Sequence, residues 1–319
     1  MPRLRPQRWV VKAAAQGALS LLPGAPRLDR AVRTWSTNDL SVEYFLSKWH
    51  HVTAHARAAT GDAEGDLTGR RVVELGTGWF PIVPLGLALR GAEVVSVDST
   101  AHLHRRRVAL TLQILVDLVA SGAISSPEGP RLEVARELAG SAADRPLSET
   151  LGRLGVSVEL GDASDLRELR HAHGADLLVS NNTLEHIPGP VIAAIFAEFH
   201  RVSSPTALMS HYVDLADHYA GVGGSIGEFN FLTLSPARWA LVNNRLHFQN
   251  RLRIGDYREL HARAGWRITR ERCTSRPAAE LDGLPFVPPF DTMPPEDLRV
   301  VKAHLVSARR APGADPESG

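Results

Sequence analysis

Arg71-Val-Val-Glu-Leu-Gly-Thr-Gly78 is the stretch that decides the fold. Its first five residues are a short β-rich run, and Gly76 and Gly78 then break the extended backbone. An apolar helical stretch follows from Ile82 to Leu89 and stops at Gly91. Strand, glycine turn and helix in that order make one βα unit.

Outward from this unit the alternation repeats. Ala92 to Val97 reads as a second strand ending in Asp98, with a helix from about His102 to Ala120. Val156 to Leu160 ends in Gly161-Asp162. Ala175 to Val179 ends in Ser180-Asn181-Asn182, with a helix from Pro190 to Arg201, and Thr206 to Ser210 runs into His211-Tyr212. A helix over Asp256 to Ala264, a strand over Trp266 to Cys273 and a last strand near Arg299 to Ser307 complete the pattern. The prediction is an α/β protein with a Rossmann-like, doubly wound, seven-stranded, mostly parallel sheet covered by helices on both faces. Ligands of such sheets bind beyond the carboxyl ends of the strands, where the glycines and polar residues named above fall.

The expected organisation is an N-terminal helical segment or lid over residues 1–65, a catalytic unit over 66–310 with a cap insertion at 216–255, and a disordered tail at 311–319. In the first segment, Leu40, Phe45 and Trp49 fall near one face of a helix over Asp39 to Trp49. The polar stretch Ser121 to Gly155, with a helix around Leu132 to Leu138, carries no assigned chemistry. The cap holds Tyr219, Phe229, Phe231, Trp239 and Phe248, and long insertions at a functional edge serve as lids or pockets.

Composition narrows the function. Across 319 residues the net charge is +1, which argues against a dedicated nucleic-acid binder. A single cysteine, Cys273, makes neither an intrachain disulfide nor a cysteine-rich zinc site. Among residues 1–33, seven basic side chains face one acid, Asp29, and the simplest reading is a solvated helix packed by Trp9, Leu19 and Leu22. No apolar run has the length of a membrane span. The expectation is a cytoplasmic protein whose partner is a small molecule, with a homodimer as the simplest assembly.

The glycine turn carries acids around it. Glu74 stands two residues before Gly76, Asp98 ends the second strand, and Asp162 ends the third. Asp98 has two oxygens for two ribose hydroxyls, and Asp162 an acceptor for an adenine amino group. The third glycine of a nicotinamide-binding turn is absent, because Pro81 occupies its position. An adenosine-type ligand is the expected occupant.

These residues resemble the class I S-adenosylmethionine-dependent methyltransferases, through Val72 to Gly78, Val94 to Asp98, Gly161-Asp162-Ala163 and Asp176 to Ile187. The resemblance implies S-adenosylmethionine as cofactor, with Glu74, Gly76, Thr77, Gly78, Asp98, Ser99, Asp162, Ala163 and Asn181 around it. Trp79-Phe80-Pro81 departs from the small residues many members keep there, and either encloses the cofactor or merely packs. No Asn/Asp-Pro-Pro-aromatic run follows strand four, which disfavours amide and nucleic-acid N-methylation.

The reaction is expected beyond strands four and five. His211 and His218 are candidate bases, with Asp214 or Asp217 to orient one of them. His186 reads as a structural residue, and the pairs His50/His51, His102/His104 and His171/His173 as surface residues, so no metal is expected. Asn243 to Arg253 reads as a polar recognition segment or a solvated basic face. The leading expectation is methyl transfer to a small molecule, at a hydroxyl, in specialised metabolism. The chain is also similar to azetidine-2-carboxylate synthases, which cyclise S-adenosylmethionine and release methylthioadenosine; that likeness implies catalytic roles for Asn182 and Tyr219. A non-catalytic cofactor-binding module is the third reading.

Overall fold

The computed structural model describes residues 8–20, 22–24, 40–127, 129–220, 226–244, 246 and 248–310. The tail expected to be disordered, and most of the basic N-terminal charges, lie outside the described residues.

The seven expected strands form one sheet in the order β3-β2-β1-β4-β5-β7-β6. They are β1 (Arg71–Leu75), β2 (Glu93–Asp98), β3 (Val156–Leu160), β4 (Ala175–Asn181), β5 (Ser203–Asp214), β6 (Trp266–Ser275) and β7 (Val300–Arg309). The first five run parallel, and β7 is antiparallel to both β5 and β6. From β1 the chain winds out through β2 to β3, then returns to place β4 on the other side of β1. This reversal opens a crevice above the ends of β1 and β4, the ligand position in doubly wound sheets. The architecture is a Rossmann-like doubly wound sheet with one antiparallel strand, β7, between β5 and β6.

The helices among the described residues are α1 (Arg8–Ser20), α2 (Val42–Thr60), α3 (Ile82–Leu89), α4 (Arg105–Ala120), α5 (Pro130–Ala139), α6 (Leu147–Arg153), α7 (Gly189–Val202), α8 (Pro236–Val242), α9 (Ile254–Arg263) and the single turn α10 (Pro295–Leu298). Two apolar cores flank the sheet. One is built from α2, α3, α4 and α5, and the other from α7 and α9. Among the described residues no helix is long and apolar enough to cross a membrane.

Helix α2 positions the site. Ser41 caps it by accepting from the Tyr44 amide at 3.2 Å, and Gly61 ends it in the left-handed conformation. It runs eleven residues beyond the expected end at Trp49, burying Phe45, Trp49 and Val52. Gly86 of α3 lets it come close: a Cβ there would sit 2.7 Å from Val52.

Strands β4 and β5 also outrun the expectation, because Asn181 pairs with Tyr212, and Tyr212 with His304 of β7. A cross-strand partner therefore extended what sequence periodicity ended early. The cap insertion divides: Leu246 and Phe248 line a cavity, and the other aromatics do not. Phe229, Phe231 and Trp239 bury themselves with Phe290, Leu298 and Val301 in a small core of their own rather than lining a pocket. The segment read as a recognition surface is structural at its end. Arg253 is fully buried and donates to the carbonyls of Leu215, Leu298 and Val300, while Arg251 donates to those of Phe231 and Leu234.

Candidate functional site

A cavity of about 980 Å³ lies over the crevice between α2 and the loops after β1, β2, β3 and β4. Every residue expected to hold the cofactor lines it: Glu74, Gly76, Thr77, Gly78, Asp98, Ser99, Asp162, Ala163 and Asn181.

On the β1–β3 side the backbone sets the geometry. Gly76 and Gly78 adopt positive φ values of 83° and 66°, which glycine alone adopts without strain. A Cβ on Gly76 would sit 2.4 Å from Thr183 Oγ1, whereas one on Gly78 would meet nothing within 4 Å, so that glycine opens onto the cavity. Asp98 accepts from the Gly78 amide at 3.2 Å and the Thr100 amide at 2.9 Å, fixing the carboxylate while each oxygen keeps a second lone pair. Asp162 accepts from the Ser164 amide at 2.9 Å and hydroxyl at 2.7 Å, and these bonds hold its pKa below the usual carboxylate value. Glu74 is buried and accepts from Ser96 Oγ at 2.6 Å; burial pushes its pKa up to about 8.

Trp79 and Phe80 both line the cavity. The Arg107 guanidinium stacks on the Trp79 ring at 4.2 Å, so the aromatic step after the glycine turn is braced from behind.

The opposite wall comes from α2 and the β4 end. Lys48 Nζ donates to Asn182 Oδ1 at 2.8 Å, and burial lowers the Lys48 pKa. Asn182 is the one non-glycine among the described residues with positive φ, at 55°, held by its amide bond to Tyr212 O at 3.0 Å. Backbone strain of this kind concentrates at functional sites.

Its neighbour Asn181 is the visible end of a buried relay. Asn181 Oδ1 accepts from His51 Nδ1 and His55 Nε2, both at 3.0 Å. The other His55 nitrogen accepts from Ser210 Oγ at 2.8 Å, and Ser210 Oγ accepts from His304 Nε2 at 2.8 Å. Tyr212 is sandwiched between His51 at 3.8 Å and His304 at 4.1 Å, ring on ring. Burial depresses the pKa values of His51, His55 and His304 to about 2, 4 and 3, so all three are neutral donors at neutral pH.

Beyond the end of β4, the 3₁₀ turn Leu184–His186 places Glu185 and His186 beside His218. His218 is half-buried, and burial followed by the neighbouring His186 lowers its pKa to about 4. Glu185 is 1% exposed, and burial raises its pKa to about 8.

The remaining expected catalytic residues part ways. Asn182 lines the cavity. Asp214 ends β5 and accepts from the Ala216 amide at 3.1 Å; with His218 it stands behind the cavity wall, not among the lining residues. Tyr219 does not line the cavity either. It is buried against Trp9 of α1 with its hydroxyl donating to Val242 O at 3.2 Å, so it fastens the N-terminal helix to the cap. His211 is fully buried on the far side of the sheet, bonded to Ser180 Oγ at 2.9 Å and stacked on Phe196, away from any substrate. Asp217 caps the Tyr219 amide at 2.8 Å.

Several residues escaped the sequence. His186 and His102 line the cavity, and His51 joins the relay, although all three read as structural or surface groups. Lys48, His55 and Glu185 were not singled out at all. A signal existed for α2: Lys48, His51 and His55 fall at i, i+3 and i+7, a polar stripe on a helix that otherwise buries apolar residues. Glu185 carried none, since its burial depends on the whole turn.

No protein-family model and no curated protein matches the chain. Among solved structures it is similar to magnesium protoporphyrin IX methyltransferase from Synechocystis PCC 6803 with bound S-adenosylhomocysteine. The identity is 15% over 88% of this chain and 93% of that one, with a TM-score of 0.45. It is also similar to a SAM-dependent methyltransferase from Methanosarcina mazei (14% identity, 77% of this chain and 93% of that one, TM-score 0.39). A third is a putative O-methyltransferase from Nostoc punctiforme (12% identity, 82% of this chain and 56% of that one, TM-score 0.41).

Proposed function

We propose that the chain is a methyltransferase that moves a methyl group from S-adenosylmethionine to a hydroxyl of a small molecule. The observation that carries this reading is the convergence of three acids at successive strand ends, Glu74, Asp98 and Asp162, around one glycine-lined cavity. Asp98 takes the ribose hydroxyls and Asp162 the adenine edge. Gly78, open on its Cβ side, leaves room for the methionine portion beneath Glu74.

Bound there, S-adenosylmethionine supplies a methyl carbon activated by a positively charged sulfur. The protein's part is alignment and exclusion of water. Tyr44 and Phe80 offer ring faces and Asn182 a carbonyl oxygen toward positive charge. Lys48 fixes the Asn182 side chain, and the Asn181 relay holds the adjoining strand end rigid. The acceptor enters between α2, His186, Leu246 and Phe248, all of which line the cavity except for the deeper part of the helix. Its hydroxyl then faces the Glu185–His186–His218 cluster.

The cyclising alternative draws on Asn182 and Tyr219 together, and the Tyr219 hydroxyl already donates to Val242. Transfer is therefore the better supported reaction. Incubation of the purified protein with S-adenosylmethionine alone, followed by mass spectrometry, separates the readings. Transfer predicts no turnover until an acceptor extract is added, then S-adenosylhomocysteine. Methylthioadenosine with a four-membered amino acid in the absence of any acceptor would replace transfer by cyclisation. Saturable binding with no product under either condition would leave a binding module.

A further inference from the structure

The cluster behind the cavity wall has the composition and support of a metal centre. One carboxylate oxygen of Glu185 and one ring nitrogen each of His186 and His218 all lie within 4.8 Å of one another. Both Glu185 oxygens are buried with no hydrogen bond of normal geometry; only the backbone amides of Glu185 and Asp214 face the carboxylate. A buried carboxylate left in this condition is costly, and a cation removes the cost.

Three consecutive residues hold the set in place. Phe248 O accepts from His186 Nδ1 at 2.8 Å, the kind of second hydrogen bond that fixes the tautomer and ring direction of a metal-ligating histidine. Gln249, 2% exposed, accepts from the His218 amide at 3.2 Å and anchors itself on Ala216 O at 2.7 Å. Asn250 donates its amide to Glu185 O at 2.7 Å, and its side chain binds the carbonyls of Leu184 and Ile187, both at 2.8 Å. The three ligands thus come from two loops, after β4 and after β5, and one clasp fixes both. Asp214 adds negative charge that acts on Glu185 and on His218, and the half-buried Lys48 acts on Glu185 in the opposite sense.

We propose that Glu185, His186 and His218 bind one divalent transition-metal ion, with an open coordination position toward the cavity for the acceptor's hydroxyl oxygen. Two imidazoles and one carboxylate suit zinc, cobalt, manganese or iron rather than magnesium or calcium, which prefer all-oxygen sets. Three protein ligands leave a position open, as in catalytic rather than structural sites. The open position rests on the methyl-transfer reading; the metal site does not. In that reaction the bound hydroxyl loses its proton to water. The resulting oxygen anion attacks the methyl carbon, the carbon–sulfur bond breaks, and its electron pair stays on sulfur as a neutral thioether.

The test uses the full-length chain freed of metal by chelator. Titration with Co²⁺ is expected to saturate at one equivalent with visible d–d absorption, and Zn²⁺ to displace it. Glu185→Gln and His218→Ala should each weaken Co²⁺ by at least ~100-fold, and Gln249→Ala by ~10-fold, the size of effect that supporting residues have on metal affinity. His171→Ala, on the surface, should change nothing. Two variants guard against a folding failure, since either one that melts like the unaltered protein decides the question. Absence of a saturable Co²⁺ spectrum, or unaltered affinity in a folded variant, would overturn the site. Calorimetry with S-adenosylhomocysteine is run beside it. Binding of that nucleoside without Co²⁺ binding refutes the metal and spares the transferase reading, whereas the reverse refutes the transferase reading and upholds the metal.

Discussion

The two sides of the cavity are built on different principles. Along β1, β2 and β3 the functional groups sit on short turns, their carboxylates tied to amides two to twenty residues away, as Asp162 is to Ser164 and Asp98 to Gly78 and Thr100. Along β4 and β5 they are tied over long separations: Lys48 to Asn182, His55 to Ser210, His186 to Phe248. The first side is local and polar, and the second is a buried network of neutral histidines and acids. The contrast teaches that carboxylates on a glycine turn are fixed by short backbone hydrogen bonds, whereas the buried histidines of the other side take their positions from partners far along the chain.

Acid should break the second side first, and this is the largest effect expected. His51, His55 and His304 titrate near 6.5 in the unfolded chain and at about 2, 4 and 3 when folded. Lys48 lowers the two α2 histidines further, and Arg270 and Arg272 lower His304. Below pH 6.5 the unfolded chain binds more protons, so their stability contribution is present above that value and lost as pH falls toward the folded values. Each group costs at most about 1.4 kcal/mol per pH unit, several kcal/mol in all by pH 4.5. Glu74 opposes this with the reverse sign. Burial and the Asp98 charge raise its pKa to about 8 against the opposing pull of the Ser96 hydrogen bond and Lys48, so its contribution fades as pH climbs from 4.5 to 8. Denaturant melts across pH should peak near 6.5; a flat profile between 4.5 and 6.5 would remove the neutral histidine network.

Asp98→Ala should follow, weakening S-adenosylhomocysteine by roughly 100-fold in calorimetry, since two hydrogen bonds to a charged group are lost at about 1.5–3 kcal/mol each before compensation. Unaltered affinity would dissolve the distinction between the two sides. Gly76→Ala combines a left-handed backbone with the 2.4 Å approach to Thr183, and should cost about 2 kcal/mol or more, read as a lowered midpoint in denaturant. Lys48→Met should give the smallest effect. It frees Asn182 and is expected to lower turnover by ~10-fold, about 1.4 kcal/mol, with cofactor affinity nearly unchanged. Equal loss in both would move Lys48 to the cofactor side.

The legibility of the chain follows the same division. All seven strands and the helix after Gly78 were readable, because β-rich runs and glycine stops act over a few residues. Helix α2 was cut short at Trp49 because the polar Lys48, His51 and His55 obscured its apolar face. Strand β5 was cut short because its second half depends on β7. Of the cap's aromatics, Phe248 lines the cavity while Phe229, Phe231 and Trp239 make a core, since composition records hydrophobicity but not its partner.

The sequence alone determined the alternating architecture and the acid-and-glycine turn at the ends of β1, β2 and β3, where each group is fixed within its own turn or by the adjacent parallel strand. The tertiary structure decided which histidines matter. It buried His211 behind the sheet, gave Tyr219 to the N-terminal helix, and brought His51, His55, His186, Glu185 and Lys48 to the β4 edge. Burial and long-range pairing set the charge state and direction of those side chains, and neither is written in the spacing of residues along a chain.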